Sequence, residues 1–158
     1  KRVNDKLGLV VFGQNAFIAS PLTKDRKFVK DVLSKMYVGI AGQNTAILDS
    51  LIQSIRLLKK SDVKTKIIIL LTDGVDNASK VRLNDVMKEL KKYKIKVYTI
   101  GIGGSGEVNY RLLNYISQQS GGKMYQALSA KDIATIYDTI DKLEKTDIKN
   151  KIIYKEDY

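Results

Sequence analysis

The residues best suited to ligand binding lie where a strongly apolar segment ends. The run Ile67–Leu71, IIILL, is followed directly by TDGVDN, which supplies Asp73 and several other oxygen-bearing side chains. A carboxylate in this position can cap a helix, accept hydrogen bonds from turn amides, or help to bind a hard cation. Asp-Gly is foremost a turn signal, so the dipeptide alone does not distinguish among these roles.

A second oxygen donor, Thr45, immediately precedes the amphipathic segment Ala46–Leu58. Its simplest role is the N-cap of that helix, because a threonine hydroxyl readily accepts from the first backbone N–H groups. Together with Asp73, Thr45 also suggests an oxygen-lined cation site with one hydroxyl and one carboxylate ligand. Both roles stay open from the residues alone.

A third candidate is the glycine-rich segment Gly101–Gly106, GIGGSG. It matches G-x-G-x-x-G between a strand and a helix, as a dinucleotide site requires. However, the unit comes late in the domain, and the next strand, KMYQA, offers no Asp or Glu to bind a ribose. We interpret it as a flexible glycine loop and keep a nucleotide-binding enzyme as the alternative function.

The composition excludes several classes of site. The chain has no cysteine and no histidine, which removes thiolate and imidazole metal sites and Ser-His or Cys-His nucleophiles. A metal would therefore bind through oxygen. The formal net charge of +11 suits an acidic partner, but the lysines form no run of five or more. With no tryptophan and three phenylalanines, no stacking platform is evident, and we expect no nucleic-acid partner.

Alternating strand and helix patterns predict an α/β fold with a mainly parallel sheet. The predicted strands are Leu7–Phe12, Ala16–Ser20 (ended by Pro21), Ile67–Leu71, Lys96–Ile102 and Met124–Ala127. The predicted helices are one capped by Thr23, then Ala46–Leu58, and three whose apolar positions span Leu83–Leu90, Leu112–Ile116 and Ile133–Leu143. Loops that follow parallel strands share one edge of the sheet, so Thr45, Asp73 and Gly101–Gly106 are expected to converge there.

Five segments together resemble the von Willebrand factor type A domain, and most closely its bacterial, membrane-anchored Bat branch from aerotolerance operons. They are DKLGLVVFGQNAFIASPLTKDRKFVKDVL, GQNTAILDSLIQSI, IIILLTDGVDNAS, KVYTIGIG and LLNYISQQSGGKMYQALSAKDIATIYDTIDKLEKT. The resemblance implies a Rossmann-like three-layer domain over residues 1–144. It also implies a non-enzymatic protein-interaction module of the bacterial cell envelope, extracytoplasmic and tethered to the membrane in a full-length form.

The resemblance further implies a metal-ion-dependent adhesion site for Mg²⁺ or Mn²⁺, at which a partner's acidic group completes the coordination. The family supplies ligands from a D-x-S-x-S after the first strand, a threonine in the second loop and an aspartate after the fourth strand. Thr45 and Asp73 match the second and third of these, but no D-x-S-x-S occurs in the chain. Because Mg²⁺ requires near-octahedral oxygen coordination, we expect weak or absent metal binding by this chain.

The missing motif implies a missing strand. In the family the first strand lies between the strands that match Leu7–Phe12 and Ile67–Leu71, and its loss would leave backbone groups unpaired. We therefore predict either a truncated sequence or another segment in that place, for which Lys151–Lys155, KIIYK, is the remaining strand-like piece. Otherwise residues 145–158 are expected to form a charged tail that leads towards a membrane segment.

Overall fold

A computed structural model describes residues 7–12, 16–23, 46–61, 66–104, 106, 108–148 and 154–157. The strands are β1 (Leu7–Phe12), β2 (Ala16–Thr23), β3 (Lys66–Thr72), β4 (Ile95–Ile102), β5 (Met124–Ala127) and β6 (Tyr154–Asp157). The helices are α1 (Ile47–Lys59), α2 (Leu83–Lys92), α3 (Tyr110–Ser120) and α4 (Ala130–Ile148).

The strands form one six-stranded sheet in the order β2-β1-β6-β3-β4-β5. The β1–β2 pair is antiparallel and every other pair is parallel. This confirms the predicted α/β fold with a mainly parallel sheet.

The core lies on both faces of this sheet, because successive side chains of β3 point to opposite sides. Ile68 and Leu70 pack with α1, α2 and α3, whereas Ile67 and Ile69 pack with α4. All four side chains are at most 1% exposed, and each contributes about 1.5–3 kcal/mol through burial. The five apolar residues that precede Asp73 are therefore a central strand covered on both faces, in a three-layer domain.

Strand β2 ends later in the chain than the sequence predicts. The prediction that Pro21 ends the second strand was wrong, since β2 continues through Pro21 to Thr23. Proline is tolerated there because β2 is an edge strand, where one row of backbone donors has no partner strand. The helix predicted to follow Thr23 lies outside the described residues.

The other elements agree with prediction to within a few residues at their ends. The predicted stop of α3 is also confirmed: its C-cap, Gly121, adopts the left-handed conformation with φ of 92°, which costs glycine little.

The predicted gap in the sheet is filled by β6. This strand lies between β1 and β3 and runs parallel to both, with Glu156 aligned to Leu9 on one side and Ile69 on the other. Of the two predicted alternatives, a truncated sequence or another segment in this place, the structure shows another segment there. Strand β6 overlaps the proposed Lys151–Lys155 segment only at Tyr154 and Lys155.

The C-terminal part of the chain therefore differs from the expected free tail. Helix α4 continues past residue 144 to Ile148, and residues 154–157 return to the sheet. None of the helices in the described ranges combines the length and the apolar character needed to span a bilayer.

One buried polar atom in the part of the chain that the structure covers lacks a hydrogen-bond partner, the Tyr125 hydroxyl on β5. Burial raises the pKa of this phenol above its ordinary value. Because the phenol ionises at lower pH in the unfolded chain than in the folded one, the free energy of unfolding is unaffected by this ionisation below about pH 10 and declines at higher pH.

We expect Tyr125→Phe to raise the free energy of unfolding by roughly 1 kcal/mol, because it removes a buried hydroxyl without a partner. It should also reduce the loss of stability above about pH 10. Urea unfolding across this pH range measures both effects. The matched control is Tyr110→Phe, whose hydroxyl donates to the Gly103 carbonyl and whose removal should be destabilising. Equal losses in the two variants would contradict the assignment of Tyr125.

Candidate functional site

The candidate site lies where the β3–α2 loop, residues 73–82, meets the start of α1. The N-cap of α1 is Ala46, which has no side-chain acceptor, so its first N–H groups need acceptors from elsewhere. Asp76 Oδ1 accepts from Ile47 N at 2.8 Å and from Leu48 N at 3.4 Å. A carboxylate here also interacts favourably with the positive end of the helix dipole.

Ser79 extends the same cap by one residue. Its hydroxyl donates a short hydrogen bond to Asp76 Oδ1. Its oxygen accepts from Leu48 N at 2.9 Å and from Asp49 N at 3.1 Å. Three successive N–H groups of α1 are thus satisfied by the loop after β3 rather than by the preceding loop.

The contact is reciprocal, because α1 also holds the loop. Asp49, in the first turn of α1, accepts from Lys80 N at 2.9 Å and from Val81 N at 3.1 Å. Two carboxylates and one hydroxyl therefore fix the loop against the helix. We call Asp49, Asp76 and Ser79 the loop clamp.

Asp73 has a different environment from the loop clamp. Its side chain is exposed and makes no hydrogen bond to the described part of the chain. It does not cap α2, whose N-cap is Arg82, and the Gly74 N–H donates to the Thr72 hydroxyl at 3.3 Å instead. Within the described part of the chain, Asp73 therefore serves neither as a helix cap nor as an acceptor for a turn amide.

Thr45 lies outside the described residues. The N-cap of α1 is Ala46, one residue after the predicted Thr45. The first N–H groups of α1 bind Asp76 and Ser79. The expected convergence of the loop after β3 on the start of α1 is confirmed by these bonds.

The described oxygen donors of the loop that contains Asp73 are of the kind that Mg²⁺ and Mn²⁺ prefer. No three His, Cys, Asp or Glu side chains of the described ranges lie close enough together to hold a metal ion. Asp76 is already engaged by the helix and by Ser79. The described oxygen donors of this loop thus fit a hard cation in their chemistry.

The glycine-rich segment is held by side chains of its own domain. The Gly103 carbonyl accepts from the Tyr110 hydroxyl and from Gln126 Nε2 at 2.9 Å, and Gly103 has a φ of 122° that favours glycine. The Tyr110 ring packs so closely on Gly101 that a Cβ there would overlap it. Asn109 caps α3 by accepting from Leu112 N at 3.1 Å.

In a dinucleotide site the glycines admit the pyrophosphate and the helix N-terminus binds it. Here Tyr110 lies against Gly101 and Asn109 caps the helix. The described glycines Gly101 and Gly103 thus contact side chains of α3 and β5. This geometry does not favour the alternative nucleotide-binding function.

The loop clamp is what sequence reasoning missed. In the sequence, Asp76 is one of several polar residues after Ile67–Leu71, and no local pattern assigns a role to Ser79 or Asp49. Asp76 and Ile47 are 29 residues apart, so no local capping pattern identifies the pair. The sequence carries no signal for it, because Thr45 is a nearer candidate for the N-cap acceptor.

Comparison with known proteins agrees with this architecture. The sequence profile of the von Willebrand factor type A domain matches residues 1–139. An uncharacterized protein of Borreliella burgdorferi is 34% identical over 128 residues, which is 80% of this chain and 36% of the relative. The chain thus spans about a third of the length of that relative.

Two solved structures show the fold. An aerotolerance-related membrane protein from Bacteroides fragilis aligns with a TM-score of 0.69 and 22% identity, over 88% of this chain and 80% of that one. Proximal thread matrix protein 1 from the mussel byssus, with a zinc-occupied MIDAS motif, aligns with a TM-score of 0.70 and 26% identity, over 87% of this chain and 34% of that one. The match over residues 1–139, the shared sheet and the position of the TDG segment at the end of a central strand place this chain in the von Willebrand factor type A domain family.

Proposed function

We propose that this chain is a non-enzymatic protein-interaction module that contacts an acidic group of its partner through a divalent cation at Asp73. The observation that carries the proposal is the exposure of Asp73 beside a loop whose structural hydrogen bonds are made by other residues. The loop clamp and Thr72 satisfy the local backbone, which leaves the Asp73 carboxylate available to a ligand.

The position of Asp73 adds support. It follows β3 at the carboxyl edge of the sheet, where open α/β sheets bind their ligands. Thr45 precedes the start of α1, which the loop clamp holds against the same loop. We propose Thr45 and Asp73 as the protein ligands of Mg²⁺ or Mn²⁺, with water completing the shell.

The comparisons supply a family precedent. A zinc-occupied MIDAS motif is present in the mussel byssus protein, and the chain's own donors are of the oxygen type that such cations accept. The net charge of +11 would speed encounter with an acidic partner. The Bacteroides fragilis structure is of a membrane protein related to aerotolerance, and we propose a cell-envelope location with membrane tethering in a full-length form.

Calorimetric titration with Mg²⁺ and Mn²⁺ tests the proposal. We expect roughly millimolar affinity for the wild-type chain, because two protein ligands leave most of the coordination to water. Asp73→Ala should lower the affinity at least tenfold. Asp138→Ala is the matched control, since Asp138 is also exposed but lies on α4, and it should bind as the wild type does. Equal affinity in wild type and Asp73→Ala would refute the assignment of Asp73.

A further inference from the structure

Lysines that are separated in the sequence lie together at the edge of the sheet opposite the candidate site. Segments 56–61 and 91–96 contain the carboxyl ends of α1 and α2 and the residues that follow them. Seven of these twelve residues are lysine or arginine, and none is acidic. Lys66 and Ile95, at the starts of β3 and β4, are paired in the sheet. We call this surface the basic edge; its exposed lysines are Lys59, Lys60, Lys91, Lys92 and Lys94.

Tyr93 shows that the two helix ends adjoin. Its ring centroid is 5.9 Å from Lys59 Nζ on α1 and 5.3 Å from Lys92 Nζ on α2. Both ammonium groups are thus within cation–π distance of one ring. The basic edge is a continuous surface across two helices.

Helix stability explains part of this charge but not all of it. A lysine in the last turn of a helix interacts favourably with the helix dipole, which accounts for Lys59, Lys91 and Lys92. Lys94 lies beyond α2 with a φ of 54° and is the only residue other than glycine with positive φ among the described residues. Glycine is less strained in this conformation, so folding alone would not select a lysine there.

We propose that the basic edge binds the surface of an anionic phospholipid bilayer. Its exposed charges are mainly lysines, which are flexible, hydrated point charges suited to diffuse attraction by many lipid headgroups. Tyrosine is enriched at membrane interfaces, and Tyr93 lies at the centre of this surface. Nucleic-acid recognition would instead favour planar arginines and stacking aromatics. This inference goes beyond the proposed function and does not depend on Asp73 or on a cation.

The test is co-sedimentation of the wild-type chain with vesicles of phosphatidylglycerol mixed with phosphatidylcholine, and with vesicles of phosphatidylcholine alone. We expect binding only to the anionic vesicles, and weaker binding as the salt concentration rises. The triple variant Lys59→Gln, Lys92→Gln, Lys94→Gly should lose about fivefold per lysine, or roughly a hundredfold in all.

The matched control is Arg82→Gln, Arg111→Gln, Lys131→Gln, which removes three exposed cationic side chains at the amino ends of α2, α3 and α4, opposite the helix ends that form the basic edge. Both triple variants lower the formal net charge of +11 by three. If net charge alone drove the attraction, both variants would bind anionic vesicles equally weakly, and that result would overturn the proposal. Lys94→Gly alone should weaken vesicle binding while the melting temperature stays equal or rises. Failure of the wild type to bind anionic vesicles, or tighter binding to poly-glutamate through the same three lysines, would also overturn it.

Discussion

Glu156→Pro is expected to lower the free energy of unfolding by about 3 kcal/mol or more. Glu156 lies in β6 between Leu9 of β1 and Ile69 of β3, so a proline there would remove a backbone donor in the middle of the sheet. Pro21 is accommodated only because β2 is an edge strand. Urea unfolding followed by circular dichroism measures the change.

The matched control for this prediction is Glu156→Gln, which keeps the backbone donor and the length of the side chain. It should unfold within about 0.5 kcal/mol of the wild type, as most substitutions outside special environments do. If Glu156→Pro were as stable as Glu156→Gln, the pairing of β6 with β1 and β3 would be contradicted. A loss in the proline variant alone would show that β6 is a structural strand of the sheet.

Asp76→Ala is the second large effect, with an expected loss of about 2–3 kcal/mol. The substitution removes the acceptor of Ile47 N, Leu48 N and the Ser79 hydroxyl. Loss of an N-cap acceptor alone costs about 0.5–2 kcal/mol, and donors left unsatisfied add to it. Thermal and urea unfolding measure the loss directly.

Asp76→Asn distinguishes the contribution of the capping hydrogen bonds to stability from the contribution of the negative charge. The amide oxygen of asparagine can still accept hydrogen bonds from the helix N–H groups. The loss of stability in Asp76→Asn should therefore be less than half of the loss in Asp76→Ala. At high salt the two variants should keep the same order, since hydrogen bonding dominates over the screened interaction with the helix dipole. If Asp76→Asn and Asp76→Ala were equally destabilised, the charge rather than the hydrogen bonds would hold the loop.

The elements built on hydrophobic periodicity were predictable from the sequence. The run Ile67–Leu71 predicts a strand buried on both faces, and the spacing of apolar residues in Ala46–Leu58 predicts α1 to within one residue at each end. The order of these elements along the chain then predicts that the TDG segment lies at the carboxyl edge of the sheet. Local pattern and global fold agree at these positions.

Features that depend on distant residues were not predictable in this way. Asp76 caps a helix 29 residues earlier in the chain, and β6, with the sequence YKED, lacks the apolar pattern of a central parallel strand. The lysines of the basic edge form no run in the sequence, yet Lys59 and Lys92 meet over one tyrosine ring. In each case the pairing is created by the topology of the sheet rather than by neighbours in sequence.

The position of β6 also has a consequence for the order of folding. It pairs Leu7 with Tyr154, a contact between residues far apart in the sequence, whereas the β1–β2 hairpin and the β3–β5 unit each form from nearby segments. Contacts of such large separation slow folding, because the loop must close before the pairing stabilises it. We therefore expect the two parts of the sheet to form first and β6 to join them last, so that strand insertion limits the folding rate.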